Sequence, residues 1–267
     1  MQQLNAVILD WAGTVVDFGS VAPTSIFVEA FARAYQFDLS LAEARIPMGM
    51  GKWDHIHTLG QLSSVRERWV AQFGQPMTDA QVDEIYRTFM PLQKAKVAER
   101  AAPIPGVLAV LEQIRERGMK IGSCSGYPRE VMEALLPVAA DYGYQPDCVV
   151  CSDDLAAGSR PGPWMALQNV IELGLMAVSR CVKVDDSAPG IEEGLNAGMW
   201  TVGLSLTGNA VGLTLEEWQD LDAHRQQQLK AEAQQQLSQA HYVIDSLADI
   251  LPVLDDIEQR LARGERP

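Results

Sequence analysis

The sequence predicts an α/β protein, a doubly wound parallel sheet with an all-helical domain inserted into it. Three observations predict this. Short apolar runs at 6–9, 119–123, 148–151, 181–184, 201–204 and 242–244 end in small or acidic residues, and several are β-branched, as buried strands are. Helical patterns separate most of them, and strands alternating with helices form a parallel sheet covered on both faces. From about residue 22 to residue 100 the alternation stops, and helical patterns follow one another with no convincing strand.

The elements follow in order. The first strand, 6–9, opens into Asp10-Trp11-Ala12-Gly13-Thr14, a carboxylate followed by a Gly-Thr turn. Helical patterns then cover 25–35, 52–62, 64–73 and 79–98, punctuated by Gly49, Gly51, Gly60 and Gly74. Ala101-Ala102-Pro103-Ile104-Pro105-Gly106 is the expected return hinge. The expected domains are an α/β core of residues 1–21 and 101–267 and a helical domain of residues 22–100. In 105–117 the apolar residues Val107, Val110, Leu111 and Ile114 recur at helical spacing, and Gly118 stops the helix. Further helices are expected at 129–139, 164–173, 190–197 and 247–261. Residues 215–239, rich in Gln and Glu, predict a solvated helical insert.

Apolar residues make up 47% of the 267, enough for a substantial core, and the formal net charge is −14. An acidic surface argues against a nucleic-acid or anionic-membrane partner but leaves room for a small anionic substrate at a local site. Residues 1–5 lack a basic region and a long apolar run, so no secretory leader is expected. No apolar stretch approaches the roughly 20 residues of a membrane span. A cytoplasmic location is the expectation. Cys148 and Cys151 have the spacing of a metal or redox pair, but residues three apart in a strand face opposite sides. These two, with Cys124 and Cys181, are expected to be buried, reduced thiols.

Four segments can carry chemistry. Asp10, at the carboxyl end of a strand, stands where open parallel sheets hold ligands, and can act as a nucleophile or a metal ligand. Asp185-Asp186 closes the strand at 181–184. Mg2+ is usually held by one or two carboxylates, which Asp10 and Asp186 on neighbouring strands can supply, although an aspartate here can also cap the helix near Gly190. Ser125-Gly126-Tyr127 sets a hydroxyl and backbone N–H groups before a helix, a phosphate cradle or a simple cap. Arg160, within Ser159-Arg160-Pro161-Gly162-Pro163, is either a surface arginine or a bidentate partner for phosphate oxygens.

In this order at successive strand ends, the four segments resemble the haloacid dehalogenase superfamily over nearly the whole chain. The resemblance implies a Rossmann-like core, a helical cap inserted after the first strand, an aspartate nucleophile and Mg2+. The third motif of that superfamily is more often Lys, where this chain has Arg160. Most of its phosphatases carry a second aspartate two residues after the nucleophile, which protonates the leaving alcohol. Here that position is Ala12, which can donate no proton and offers a metal only its carbonyl.

Met48-Gly49-Met50-Gly51-Lys52-Trp53-Asp54-His55 supplies another route. If Lys52 opens a helix, Lys52 and His55 share a face. A desolvated lysine can lose its proton and attack a carbonyl, and the imine it forms draws electrons from the adjacent carbon. Cleavage of a C–P bond needs such a sink, and no acid at position 12 is then required.

With Asp-Trp-Ala-Gly-Thr, this segment resembles the phosphonoacetaldehyde hydrolases (phosphonatases). That resemblance implies Asp10 as nucleophile and Lys52 as Schiff-base residue. It also implies Asp10, the Ala12 carbonyl and Asp186 as Mg2+ ligands, and Ser125, Gly126 and Arg160 as the phosphoryl site. Met48, His55 and Tyr127 would support proton transfer and the lysine. Some relatives have an aspartate at Gly190, a role Asp185 can take over behind the metal. The implied substrate is a small aldehyde phosphonate, and the implied assembly is a homodimer through the cap. A small-molecule phosphatase or phosphomutase on the same fold is the alternative.

Overall fold

The computed structural model describes residues 3–267; Met1 and Gln2, part of the segment searched for a leader, lie outside the described residues. After β1 (Ala6–Leu9) come five helices, α1 (Val21–Tyr35), α2 (Leu41–Arg45), α3 (Lys52–Gln61), α4 (Ser63–Phe73) and α5 (Asp79–Lys96). The chain then runs through α6 (Val107–Glu116), β2 (Lys120–Ser125), α7 (Arg129–Asp141), β3 (Cys148–Cys151), α8 (Trp164–Glu172), β4 (Cys181–Asp185) and α9 (Ala188–Ala197). It closes with β5 (Trp200–Leu204), α10 (Leu215–Gln219), α11 (Ala223–Gln236), β6 (Tyr242–Ile244) and α12 (Leu251–Ala262).

All strand pairs are parallel, in the order β3-β2-β1-β4-β5-β6. Because β1 lies between β2 and β4, the chain winds outward in both directions from it. Crossovers departing to opposite sides leave a crevice beyond the carboxyl end of β1. Register places Leu9 beside both Ser123 and Val184, so the residues following all three strands meet at that crevice.

Successive strand residues face opposite sides. Val7, Leu9 and Ile121 pack with Val110 and Ile114 of α6, Leu135 of α7 and Leu254 of α12. Ala6 and Ile8 join Met165 and Val170 of α8 and Met199 in a separate layer. Burial on both faces is why these strands read as continuous apolar runs. Cys151 belongs to the first layer and Cys148 packs against the second, as the strand period requires, and the four cysteines are free thiols.

The five helices between β1 and β2 enclose their own core. Phe27, Phe31, Phe37, Trp69 and Phe89 are fully buried there, with the Trp69 ring 4.5 Å from Phe73 and 5.1 Å from Phe37. Among the described residues, no helix is long and apolar enough to cross a membrane.

Three elements differ from expectation. Helix α2 was not expected, since five residues show no periodicity; a Ser40–Glu43 capping box holds its first turn. The single helix expected over 215–239 is two, because Asp222 accepts the Arg225 N–H at 2.9 Å and starts α11 afresh. The stretch 247–261 opens as a 3-10 turn, Leu247–Asp249, before α12 begins.

Candidate active site

The loop after β1 is fixed from below by Trp11, a buried side chain whose indole N–H donates to Ser123 Oγ on β2. Asp10 is thereby held at the crevice, with its backbone N–H on the Val184 carbonyl at 3.1 Å. Gly13 turns the chain at φ 79°, and a β-carbon there would fall 2.3 Å from Asp186 Oδ2. A glycine is required both for the left-handed backbone and for the acid beside it.

Asp10, Asp185 and Asp186 bring carboxylate oxygens within 4.8 Å of one another, and all three are buried. Burial, then repulsion from Asp185, pushes the Asp10 carboxyl up to about 6 against the pull of Arg160 and Lys183. Burial, then Asp10 and Asp185, raises the Asp186 carboxyl well above its usual range. Asp185 is held low despite its burial, because Arg160 and Lys183 lie against it. The three acids therefore differ in use. Asp185 is engaged by Lys183, by Arg160 at 3.1 Å and by the Ser187 hydroxyl at 2.7 Å. Asp186 accepts the Asn209 N–H at 2.7 Å. A buried, oxygen-only donor set with excess negative charge suits a small hard dication.

Arg160 is equally enclosed. Its Nη2 donates to Asp10 Oδ1 at 2.8 Å and to the Cys124 carbonyl at 3.2 Å, and its Nε to Glu193 Oε2 at 2.9 Å. The surface-arginine alternative is thus excluded by its burial. At the end of β2, Ser125 Oγ accepts the Tyr127 N–H at 3.0 Å, so the hydroxyl also organises its own turn.

Lys52 is the first residue of α3 and comes from the helical insert, yet lies in the same cavity. Its Nζ stands 5.1 Å from the Tyr127 ring centroid and 5.7 Å from that of Phe27. Burial lowers its amine to about 8, with Arg160 adding to the fall while Asp10 and Asp186 oppose it. The cavity, about 30 Å³, is lined by Asp10, Ala12, Met48, Lys52, Ser125, Gly126, Tyr127, Arg160 and Asp186. A larger groove of about 500 Å³ at Tyr86 and Glu130 contains none of these acids.

His55 does not line that cavity. Its ring stacks on Phe27 with centroids 3.8 Å apart, and Nε2 must carry the proton to donate to the Ala44 carbonyl at 2.9 Å. Burial and the neighbouring Lys52 hold it neutral. Sequence reasoning missed Ser20 and Pro23, which also line the cavity. Ser20 sits at φ 50°, ψ 46°, a left-handed conformation costing a non-glycine residue about 1–3 kcal/mol. No local pattern signals it. It also missed Glu193 and Lys183, although a lysine in the apolar run Val182-Lys183-Val184 is itself a signal of a buried partner.

The fold and this arrangement of acids define the class, and comparison agrees: a family model for haloacid dehalogenase-like hydrolases matches residues 4–198. The chain belongs to the haloacid dehalogenase-like hydrolases. It is 65% identical to the phosphonoacetaldehyde hydrolase of Aeromonas hydrophila subsp. hydrophila, over 99% of this chain and 95% of the relative. It is 64% identical to that of Vibrio cholerae serotype O1, over 99% and 98%. A phosphonoacetaldehyde hydrolase-like protein from Oleispira antarctica superimposes with TM-score 0.96 at 43% identity, over 99% of this chain and 96% of the other. Within its class the chain is therefore a member of the phosphonoacetaldehyde hydrolase family.

Proposed function

We propose that the chain hydrolyses the C–P bond of phosphonoacetaldehyde to acetaldehyde and phosphate. One observation carries the reading: a lysine from the helical insert and a strand-end aspartate line a single cavity in which the position two residues after the aspartate is an alanine. The relatives' names support the same substrate.

The neutral Lys52 amine attacks the aldehyde, one proton is taken up from solvent, water leaves, and a protonated imine forms. Asp10 then attacks phosphorus. The C–P bond breaks, and its electron pair passes through the iminium to give an enamine on Lys52. Protonation at carbon and hydrolysis release acetaldehyde, while water hydrolyses the aspartyl phosphate and restores Asp10. Arg160 and Ser125, with the Gly126 backbone, hold the phosphoryl oxygens. Met48 and Tyr127 wall the cavity beside Lys52, and His55, outside the cavity, is kept uncharged by its burial and by the neighbouring Lys52. Mg2+, when bound, supplies positive charge against the phosphoryl oxygens; Asp10, the Ala12 carbonyl and Asp186 would hold it, with Asp185 behind them. Two covalent links to one substrate lower the entropic barrier to the second step.

Residues 22–100 act in this reading as a cap that closes over the core and excludes water. A cytoplasmic homodimer through the cap completes it, and Leu41, Ile46 and Val70 are exposed apolar residues on that part of the chain. The test is borohydride reduction in the presence of phosphonoacetaldehyde, followed by peptide mapping. A stable adduct on Lys52 is expected. Normal turnover with no trapped lysine, full activity of Lys52→Arg, or equal activity on phosphate esters would each overturn the reading.

A further inference from the structure

Glu193, on α9, is fully buried and does not line the cavity. Its Oε2 accepts from Arg160 Nε at 2.9 Å and lies 3.5 Å from Lys183 Nζ. Its Oε1 accepts the Ala166 N–H at 3.1 Å, at the start of α8. Both oxygens are therefore used, and the carboxylate is tied to α8, β4 and the Arg160 loop together.

The consequence falls on Arg160. A guanidinium is planar, with its donors in a fixed fork, so holding Nε and Nη2 at once sets the plane. Glu193 holds Nε; Asp10 and the Cys124 carbonyl meet Nη2. The Nη1 amine is left facing the insert, 3.4 Å from the Gly49 carbonyl. When Asp10 turns to phosphorus, Asp185 still meets Nη2 at 3.1 Å, and Glu193 is the acid that holds Nε and so fixes the plane of the guanidinium.

Packing gives no reason for these charges. Replacing a buried ion cluster by apolar side chains of similar volume is often neutral or stabilising. Here Glu193 and Lys183, both fully enclosed, stand directly behind a cavity-lining arginine. We infer that Glu193 is a positioning residue, which fixes the Arg160 guanidinium so that its Nη groups face the phosphoryl group attacked by Asp10; this rests on the roles of Asp10 and Arg160 proposed above.

The test uses Glu193→Gln, Glu193→Ala and the double variant Glu193→Gln/Lys183→Met, each checked for folding by circular dichroism. Inorganic phosphate, with Mg2+ present, serves as a competitive probe of the phosphoryl site. At saturating phosphonoacetaldehyde, borohydride trapping at Lys52 should proceed at the parent rate, because Arg160 takes no part in the chemistry of imine formation. Single-turnover phosphate release should fall by up to about a hundredfold, as expected for a misplaced catalytic group, and inhibition by phosphate should weaken alongside it. The double variant, which also removes the lysine 3.5 Å from Glu193, should show the same loss if the single variants prove too unstable to assay. Folded variants with parental phosphate inhibition and parental phosphate release would overturn the inference, whatever their stability. Absence of trapping in the unaltered protein would instead sink the proposed reaction, and phosphate inhibition would still decide the role of Glu193.

Discussion

The carboxylate of Asp185 occupies the space that a side chain at position 190 would need: a β-carbon on Gly190 would fall 2.0 Å from its Cγ and Oδ2. The first turn of α9 is pressed onto the end of β4, so an acid at 185 and a glycine at 190 form one arrangement.

Gly190→Ala is therefore expected to destabilise the fold by about 1–3 kcal/mol, the range for overpacking a tight core. Urea denaturation measures it. In an Asp185→Ala background the same change should cost less, since the clash is gone, and a double-mutant cycle should return a coupling between the two positions. Strict additivity would show that the two sites do not meet.

Lys52 gives a pH dependence. An amine lowered to about 8 is mostly protonated at pH 7 and mostly free at pH 9. Because only the free amine attacks a carbonyl, trapping at Lys52 should rise as pH passes through about 8 and then level off. A surface lysine near its usual value of about 10.4 would still be rising there. Mass spectrometry of the trapped peptide across a pH series distinguishes the two.

Asp17 gives another, on stability. Its Oδ2 accepts the Ala22 N–H at 3.0 Å, and its buried Oδ1 has no hydrogen-bond partner among the described residues. Burial pushes the carboxyl up to about 6, against hydrogen bonds from Ala22 and Val21 and the charges of Arg100 and Arg45. The folded protein thus holds this proton more tightly than the unfolded chain. Its contribution is most favourable below about pH 4 and declines as pH rises to about 6, by at most about 3 kcal/mol. Asp17→Asn should flatten that part of the curve and raise stability at pH 7. Denaturant titrations at pH 5 and pH 7 check the sign.

Mg2+ should raise the melting temperature, because a ligand that binds only the folded state stabilises it, by about 2.7 kcal/mol at a hundred times Kd. Asp186→Asn is expected to abolish most of the increment. Calorimetry with and without the ion, and with a chelator, makes the comparison without turnover. An unchanged increment in Asp186→Asn would place the ion elsewhere.

Much of the fold was legible because its signals are local. Apolar runs at 6–9 and 148–151 coincide with β1 and β3, since strands buried on both faces carry no polar interruptions. Where signals compete over few residues, as at α2 or between α10 and α11, a cap or a single turn decides the boundary and periodicity does not.

The sequence by itself determined the alternation of strands and helices, the acids at strand ends, and the alanine at position 12. These are properties of neighbours along the chain. Only the tertiary structure decided that Lys52, contributed by the helical insert, lines the same cavity as Asp10, and that His55 stacks on Phe27 outside it. It also decided that Glu193 and Lys183 lie behind Arg160, and that Asp185 takes the room left by Gly190. The physical reason is that charge, burial and van der Waals space depend on what lies across the fold, and residues far apart in the chain settle them together.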